Sequence, residues 1–163
     1  MNKLATIEDL ESLGFVGGVS VRTLRDRSGV VPREPGVYCV AAPSDLEPRW
    51  LQIGTGGFFK GKDPNVGLLE LERNWVRTSL LLYFGRASAG KANQRGLKKR
   101  TNELVRFGMG EAVGHWGGRL LWQIEQSDTL LLFWKTSEEP EVEKARLIEA
   151  FLGAHGSKPF AVL

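Results

Sequence analysis

Apolar residues in this chain come only in short runs. The longest of them, Leu80–Tyr83 and Leu130–Trp134, have the length of single buried β-strands. A helix that crosses a membrane needs roughly 18–20 consecutive apolar residues, so no membrane partner is expected. Strands this short require helices or further strands to cover their apolar faces. With 163 residues, of which 42% are hydrophobic, the chain has enough apolar material for one core.

The N-terminal region and the cysteine content indicate a cytoplasmic protein. Glu8, Asp9 and Glu11 lie where a secretory signal would be apolar. The single cysteine, Cys39, excludes an internal disulfide and a multi-cysteine zinc site. We therefore expect a cytoplasmic domain.

Turn residues and hydrophobic spacing divide the chain into helical and extended segments. The predicted helices are Thr6–Gly14, Ser20–Arg27, Leu68–Arg77, Lys91–Phe107 and Pro140–His155. The predicted strands are Val37–Val40, Trp50–Ile53, Leu80–Gly85 and the hairpin of Arg119–Gln126 with Thr129–Thr136. This order predicts an α+β fold with a small, mainly antiparallel sheet flanked by helices. We expect one domain over residues 1–163, with an N-terminal helical extension over 1–34 and an insertion over 43–78.

Positive charge is concentrated in one segment of the chain. The net charge is only +3, but residues 86–119 hold eight basic residues against two acidic ones. The basic residues are Arg86, Lys91, Arg95, Lys98, Lys99, Arg100, Arg106 and Arg119. Such a one-sided block is typical of proteins that bind the phosphate backbone of nucleic acid. The alternative interpretation is a solvated helix face.

The segment Gly85–Ala92 nearly fits the phosphate-binding loop pattern GxxxxGK[ST]. It follows a predicted strand and precedes a predicted helix, as that motif requires. However, Ala92 replaces the Ser or Thr whose hydroxyl would bind Mg²⁺. A P-loop-like nucleotide-binding protein is therefore the least favoured of three functional hypotheses, although the loop amides could still receive a nucleic-acid phosphate.

The only two tyrosines of the chain lie in two short triplets on predicted strands, Gly36–Tyr38 and Tyr83–Gly85. With a basic helix and an acidic helix start downstream, the sequence resembles the GIY-YIG nuclease family from about Pro35 to the C-terminus. In this resemblance Arg100 matches the catalytic arginine and Glu143 matches the metal-binding glutamate. It implies a GIY-YIG-like fold and a divalent-metal-dependent endonuclease that hydrolyses phosphodiester bonds, with DNA as the preferred substrate.

The resemblance also implies a catalytic role for each matched residue. Glu143 would hold Mg²⁺ or Mn²⁺, because a single carboxylate suits an ion that keeps several waters. Arg100 would clamp the scissile phosphate, and Tyr38 or Tyr83 would orient or deprotonate the attacking water. The free tyrosine pKa is near 10, so a base role requires nearby positive charge. Packing at a strand edge is the alternative role of both tyrosines.

Helical spacing bears on the two charged residues. Arg100 shares one helix face with Leu97, Leu104 and Phe107, so it is a charge on an apolar stripe and needs an anionic partner. That partner is either a substrate or a carboxylate, such as Glu103 or Glu143.

The expected position of the metal-binding carboxylate has an alternative of its own. Glu143 begins a row with Leu147, and its alternative role is that of an ordinary carboxylate near a helix N-terminus. The family glutamate usually lies three residues before an aliphatic pair, whereas Glu143 lies four before Leu147.

Three features differ from the family pattern. The 44 residues Cys39–Leu82 separate the triplets, which makes this a divergent member with a long insertion. Val162 stands where many members carry an Asn that steadies the site. Leu104 stands where some carry a His; His115 is a possible substitute in space, with a turn residue as the alternative. A catalytically silent nucleic-acid-binding module is therefore the second functional hypothesis.

The insertion offers further contacts to nucleic acid. Phe58, Phe59, Lys60 and Lys62 alternate stacking and cationic groups, unless the two phenylalanines cover the sheet instead. No separate DNA-reading domain is visible in the sequence. Targeting is therefore expected from the insertion, a partner protein or a homo-oligomer.

The resemblance leads to one geometric prediction. Tyr38 and Tyr83 should lie on neighbouring antiparallel strands, because alternate side chains of paired strands share a face. Both hydroxyls should then lie near Arg100 and Glu143.

Overall fold

The structure, a computed structural model, describes residues 2–163. Its α-helices are α1 (Ile7–Ser12), α2 (Val21–Asp26), α3 (Leu68–Asn74), α4 (Leu97–Gly108) and α5 (Pro140–His155). Its strands are β1 (Val16–Ser20), β2 (Gly36–Ala41), β3 (Leu81–Ala87) and β4 (Leu131–Thr136). None of the helices in residues 2–163 has both the length and the apolar character that crossing a membrane requires.

The strands form one antiparallel sheet in the order β1-β4-β2-β3. The sheet and its surrounding helices confirm the α+β prediction. Strands β2 and β3 are neighbours although the long segment 42–80 separates them along the chain. That segment leaves at Ala41 and returns at Leu81, which are register partners. A long excursion therefore closes at one end of a hairpin at small entropic cost.

Each face of the sheet carries its own core, because successive strand residues point to opposite sides. Helices α1 and α5 cover one face, whose main buried residues are Leu10, Val37, Cys39, Phe84, Phe133, Leu147 and Phe151. Helices α2 and α4 cover the other face, whose main buried residues are Leu24, Tyr38, Val40, Tyr83, Leu97, Phe107, Trp122, Leu132 and Trp134. Strand β2 is buried along its whole length, as expected of a strand covered on both faces.

Within the predicted N-terminal helical extension both helices, α1 and α2, are present, but a strand lies between them. Val16–Ser20 forms edge strand β1, which pairs with β4 and belongs to the sheet. Its sequence, VGGVS, lacks a strand signal because glycine is depleted in strands. Gly17 adopts a φ of +110°, and a Cβ there would come within 2.6 Å of the Trp134 ring. Glycine is therefore required where this ring lies over the edge strand.

The predicted hairpin over residues 119–136 is wrong in its first half. Trp116–Gln123 forms a 3₁₀ helix, and only the second predicted strand is present. The segment 42–80 packs against this 3₁₀ helix through Gln123, whose side-chain amide donates to the carbonyls of Leu51 and Val66. The predicted strand at Trp50 is reduced to one bridge with Ile124.

Helix α4 begins at Leu97, six residues later than predicted. Lys91–Asn93 forms a separate 3₁₀ turn, and Gly96 has a φ of +127° before the helix starts. A Cβ at Gly96 would lie 1.8 Å from the Arg33 carbonyl oxygen, so glycine lets the helix start against residues 32–34. Because Lys91 is not at the start of α4, the segment Gly85–Ala92 does not form a phosphate-binding loop of the GxxxxGK type.

Candidate anion-binding site

Tyr38 and Tyr83 lie on the same face of neighbouring strands, which confirms this part of the geometric prediction. Their ring centroids are 6.1 Å apart, with an interplanar angle of 48°. The Tyr38 ring crosses the backbone of Gly85, where a Cβ would come within 2.1 Å of Tyr38 Cζ. The glycine of the second triplet therefore makes room for the tyrosine of the first.

The two phenols border a cavity of about 350 Å³, which we call the tyrosine–arginine cavity. It is lined by Tyr38, Tyr83, Arg86, Ala87, Ser88, Arg95, Gly96, Arg100, Gly117 and Lys144. Arg95 and Arg100 come from the α4 side of the sheet. Arg86 and Lys144 come from the α5 side, so the cavity lies at the free edge of strand β3, where side chains from both faces meet.

Four cationic side chains line this cavity, and no carboxylate of residues 2–163 lines it. Arg86 pairs with Glu141 at 2.6 Å, and Arg95 pairs with Glu103 at 2.5 Å. Arg100 donates to the carbonyl of Gly114 and lies 4.0 Å from the same Glu103. These two neighbouring carboxylates offset half of the four positive charges, so the site retains a positive excess.

Lys144 is the least compensated of these cations. Its side chain is partly buried, and within the described part of the chain no carboxylate oxygen lies within 4.0 Å of its ammonium. Burial lowers the pKa of Lys144, and the charges of Arg86 and Arg100 lower it further. An anion that enters the cavity would therefore stabilise the charged form of Lys144.

His115 lies beneath the two tyrosines rather than in an exposed turn. Its side chain is fully buried, and Nε2 lies 2.6 Å from Tyr38 Oη. Burial, assisted by the charge of Arg100, lowers the pKa of His115 to about 3, so the ring is neutral at physiological pH. Its Nδ1 has no hydrogen-bond partner among the described residues. The hydrogen bond between His115 Nε2 and Tyr38 Oη therefore fixes the Tyr38 hydroxyl in the protein interior.

Burial also determines the protonation of the tyrosines. It raises the pKa of Tyr38 well above the ordinary value and raises that of Tyr83 as well, while the charge of Arg100 opposes both shifts. Both phenols are therefore protonated at neutral pH. In that form neither phenol accepts a proton from water, and the Tyr83 hydroxyl, which keeps a small exposed fraction, can donate a hydrogen bond to an anion.

The structure does not bring Glu143 to the tyrosines. Its Oε1 lies 2.5 Å from Lys135 Nζ, and the residue lines a different cavity, of about 590 Å³, between α5 and the residues that flank α1. Lys135 is two residues from Phe133 on β4, so both side chains point to the same face of the sheet. Phe133 belongs to the core under α1 and α5, and the ion pair therefore lies on that face. The expectation that Glu143 meets both hydroxyls is wrong. Of the carboxylates weighed as partners of Arg100, Glu103 is the neighbour.

Lys144 is the residue of α5 that sequence reasoning missed. Glu143 and Lys144 are about 100° apart on the helix and flank the stripe that buries Leu147 and Phe151. The spacing contained a signal, because the family carboxylate lies three residues before the aliphatic pair and Lys144 lies three before Leu147. The residue that faces the tyrosines is therefore a cation.

The remaining basic residues divide into two groups. Lys98 and Lys99 line a neighbouring cavity of about 450 Å³ that also includes Arg95. The others line neither of these two cavities. Arg106 pairs with Glu111 at 2.9 Å, Lys60 lies over the Phe59 ring, Lys62 lies over the Trp116 ring, and Lys91 is exposed in its 3₁₀ turn.

The residues of the tyrosine–arginine cavity do not fit Mg²⁺ or Mn²⁺. These ions prefer carboxylate and carbonyl oxygens, whereas the cavity presents guanidinium, ammonium and protonated phenol groups. Within residues 2–163 there is also no cluster of three His, Cys, Asp or Glu residues that could hold a metal. The chemistry of the donor set therefore favours an anion over a cation at this site.

Comparison of the chain with known protein families, curated proteins and solved structures finds no match. The GIY-YIG relationship indicated by the two triplets thus stays a resemblance. The fold and the cavity define a small α+β domain with a cationic, phenol-lined site at a sheet edge.

Replacing Glu143 by Gln should affect stability rather than ligand binding. Burial raises the pKa of Glu143, but the hydrogen bonds from Lys135 and Ser137 and the Lys135 charge hold it below the ordinary value. The ionised carboxylate thus contributes stability above its unfolded pKa, and this contribution disappears as pH falls through the folded pKa. We expect a loss of about 0.5–1 kcal/mol at pH 7 that is smaller at pH 3, measured by urea unfolding. An equal loss at both pH values would contradict this assignment.

Proposed function

We propose that this domain binds the sugar–phosphate backbone of nucleic acid and holds one phosphate in the tyrosine–arginine cavity without a metal ion. The observation that supports the proposal is the composition of that cavity, in which four cations and two protonated phenols converge and no described carboxylate takes part. This is the second functional hypothesis of the sequence, with a defined site.

A phosphodiester matches this set of donors. It carries one negative charge, and its two non-bridging oxygens only accept hydrogen bonds. An arginine such as Arg100 can bind both oxygens with its planar fork, whereas Lys144 acts as a point charge. The Tyr83 hydroxyl adds a neutral donor from a rigid floor, because its ring is held in the core beside the fully buried Tyr38 ring. The ligand therefore gains charge-assisted hydrogen bonds without reorganising the site.

The surroundings of the cavity favour a polymer over a free anion. Lys98 and Lys99 lie beside it on α4, and no carboxylate of residues 2–163 lies within 4.0 Å of either ammonium. Cations that neutralise successive phosphates release counterions from a nucleic acid, and this release drives binding. A single small anion would contact only some of these cations, whereas a polymer of phosphates can contact all of them.

Salt titration tests the proposal. Fluorescence anisotropy with labelled DNA and RNA oligonucleotides should show binding that weakens between about 50 and 200 mM salt. If four phosphates are neutralised, the slope of log K against log salt should be about −3.6 for duplex DNA and about −2.8 for single strands. EDTA should leave the affinity unchanged. Affinity that is insensitive to salt, or that disappears with EDTA, would contradict the proposal.

A metal-dependent endonuclease is the second candidate function. It is favoured by the convergence of Tyr38, Tyr83 and Arg100 on one cavity, which is the arrangement implied by the resemblance. The position of Glu143 and the donor set of the cavity count against it.

Incubation of the protein with circular DNA and labelled RNA separates the two functions. The binding proposal expects equal, background nicking with Mg²⁺, Mn²⁺ and EDTA. Nicking that requires metal and is lost on Arg100→Ala replacement would favour the nuclease instead. Arg106→Ala is the matched control, because it removes the same charge outside the cavity.

A further inference from the structure

A second cationic cavity adjoins the first along helix α4. It has a volume of about 450 Å³ and presents the side chains of Arg33, Lys98 and Lys99, with the amides of Gln94 and Asn102. Arg95 lines both cavities, so one guanidinium side chain separates them. Arg33 was not among the residues that the sequence indicated.

Three of the four cations of this second cavity have no carboxylate partner among the described residues, whereas Arg95 pairs with Glu103. Among residues 2–163, no carboxylate oxygen lies within 4.0 Å of the charged groups of Arg33, Lys98 or Lys99. Many other basic residues of the chain are paired, as Arg22 is with Asp128 and Arg49 is with Glu125. Three unpaired cations around one concave surface repel one another until an anion binds between them.

The backbone holds these cations together before any ligand arrives. The amides of Leu97 and Lys98 donate to the carbonyls of Glu34 and Pro32, at 2.9 and 2.8 Å. Arg33 lies between these two acceptors and is therefore fixed beside the first turn of α4. The close approach depends on Gly96, whose position tolerates no Cβ. A site built in this way needs little reorganisation on binding.

We propose that the Arg33–Lys98–Lys99 cavity binds a second backbone phosphate of the same strand, so that the ligand of this domain is an oligonucleotide with at least two phosphates rather than a mononucleotide. This inference rests on the proposed function. A polynucleotide presents one phosphate per nucleotide along its backbone, with about 3.4 Å of axial rise per nucleotide in one strand. Two adjoining cationic cavities that share Arg95 fit such a repeating anion.

Calorimetric titration at low salt with two probes tests this inference. The probes are thymidine 5′-monophosphate and the trinucleotide d(pT)₃. The wild-type protein should bind the trinucleotide at least about tenfold more tightly. In the triple variant R33A/K98A/K99A this advantage should fall to about twofold, while the affinity for the monophosphate stays within about twofold of wild type.

The control variant is R73A/R77A/K158A, which loses the same charge from exposed positions that line neither cavity. It should keep the trinucleotide advantage. An equal loss in both triple variants would overturn the second phosphate site while the first cavity, still reported by the monophosphate, remained valid. Failure of the wild-type protein to bind either probe would overturn both proposals. The single variant Arg33→Gln changes only an exposed side chain, so it should keep the fold. It should lose part of the trinucleotide advantage, and this loss would exclude misfolding as the cause.

Discussion

Replacement of Lys144 by Glu should lower the affinity for an oligonucleotide about 100-fold or more. The substitution removes the one cation of the tyrosine–arginine cavity that has no carboxylate within 4.0 Å among the described residues, and puts a negative charge in its place. Because the side chain is partly buried, solvent screens this change less than it would at the surface. Anisotropy titration at fixed salt measures the effect.

Two variants make this prediction specific. Lys158→Glu changes the net charge by the same amount at an exposed position outside both cavities, and it should cost less than about threefold. Lys144→Gln removes the charge without reversing it and should give an intermediate loss of about tenfold. If Lys144→Glu and Lys158→Glu weaken binding equally, only the overall charge matters and the cavity is not the site. Circular dichroism of each variant checks that the fold is kept.

Strands β2 and β3 and the positions of Tyr38, Tyr83 and Arg100 can be predicted from residue spacing within single elements. The short apolar runs in Val37–Val40 and Leu80–Gly85 predict buried strands, and the tyrosine triplets then predict that both rings share a face. The spacing of Leu97, Leu104 and Phe107 likewise places Arg100 on the inner side of α4. Each of these predictions uses the spacing of residues within one strand or helix, which can be read from the sequence alone.

The positions of Glu143, Lys144 and His115 depend on how separate elements pack against one another. Whether Glu143 or Lys144 reaches the tyrosines is decided by the angle at which α5 lies on the sheet, and no pattern within α5 records that angle. The same holds for His115, which is buried because the turn that carries it packs against the rings of Tyr38 and Tyr83. Strand β1 lacks a sequence signal for a different reason, since its glycines fit close contacts with Trp134 and Phe133 and have no strand propensity.

Replacement of Gly85 by Ala should lower the free energy of unfolding by about 2–3 kcal/mol, which corresponds to about 5–10 °C in Tm. The new methyl group would lie 2.1 Å from Tyr38 Cζ and 2.4 Å from Tyr38 Oη. The Tyr38 ring has no room to yield, because it is fully buried and its hydroxyl is hydrogen-bonded to His115. Gly153→Ala is the matched control. It lies in α5 with open space around its Cβ, so it should instead raise stability by about 0.5–1 kcal/mol.

A double-mutant cycle identifies the clash with Tyr38 as the cause. Tyr38→Leu alone should be destabilising, since it removes a buried ring and leaves a cavity. In the Tyr38→Leu background, however, the smaller side chain leaves space for the methyl group, and Gly85→Ala should cost less than about 1 kcal/mol. Simple addition of the two losses would mean that the glycine is needed for the backbone of β3 rather than for the tyrosine. Anion affinity should fall in the Gly85→Ala protein as well, because the displaced phenol no longer forms the floor of the tyrosine–arginine cavity.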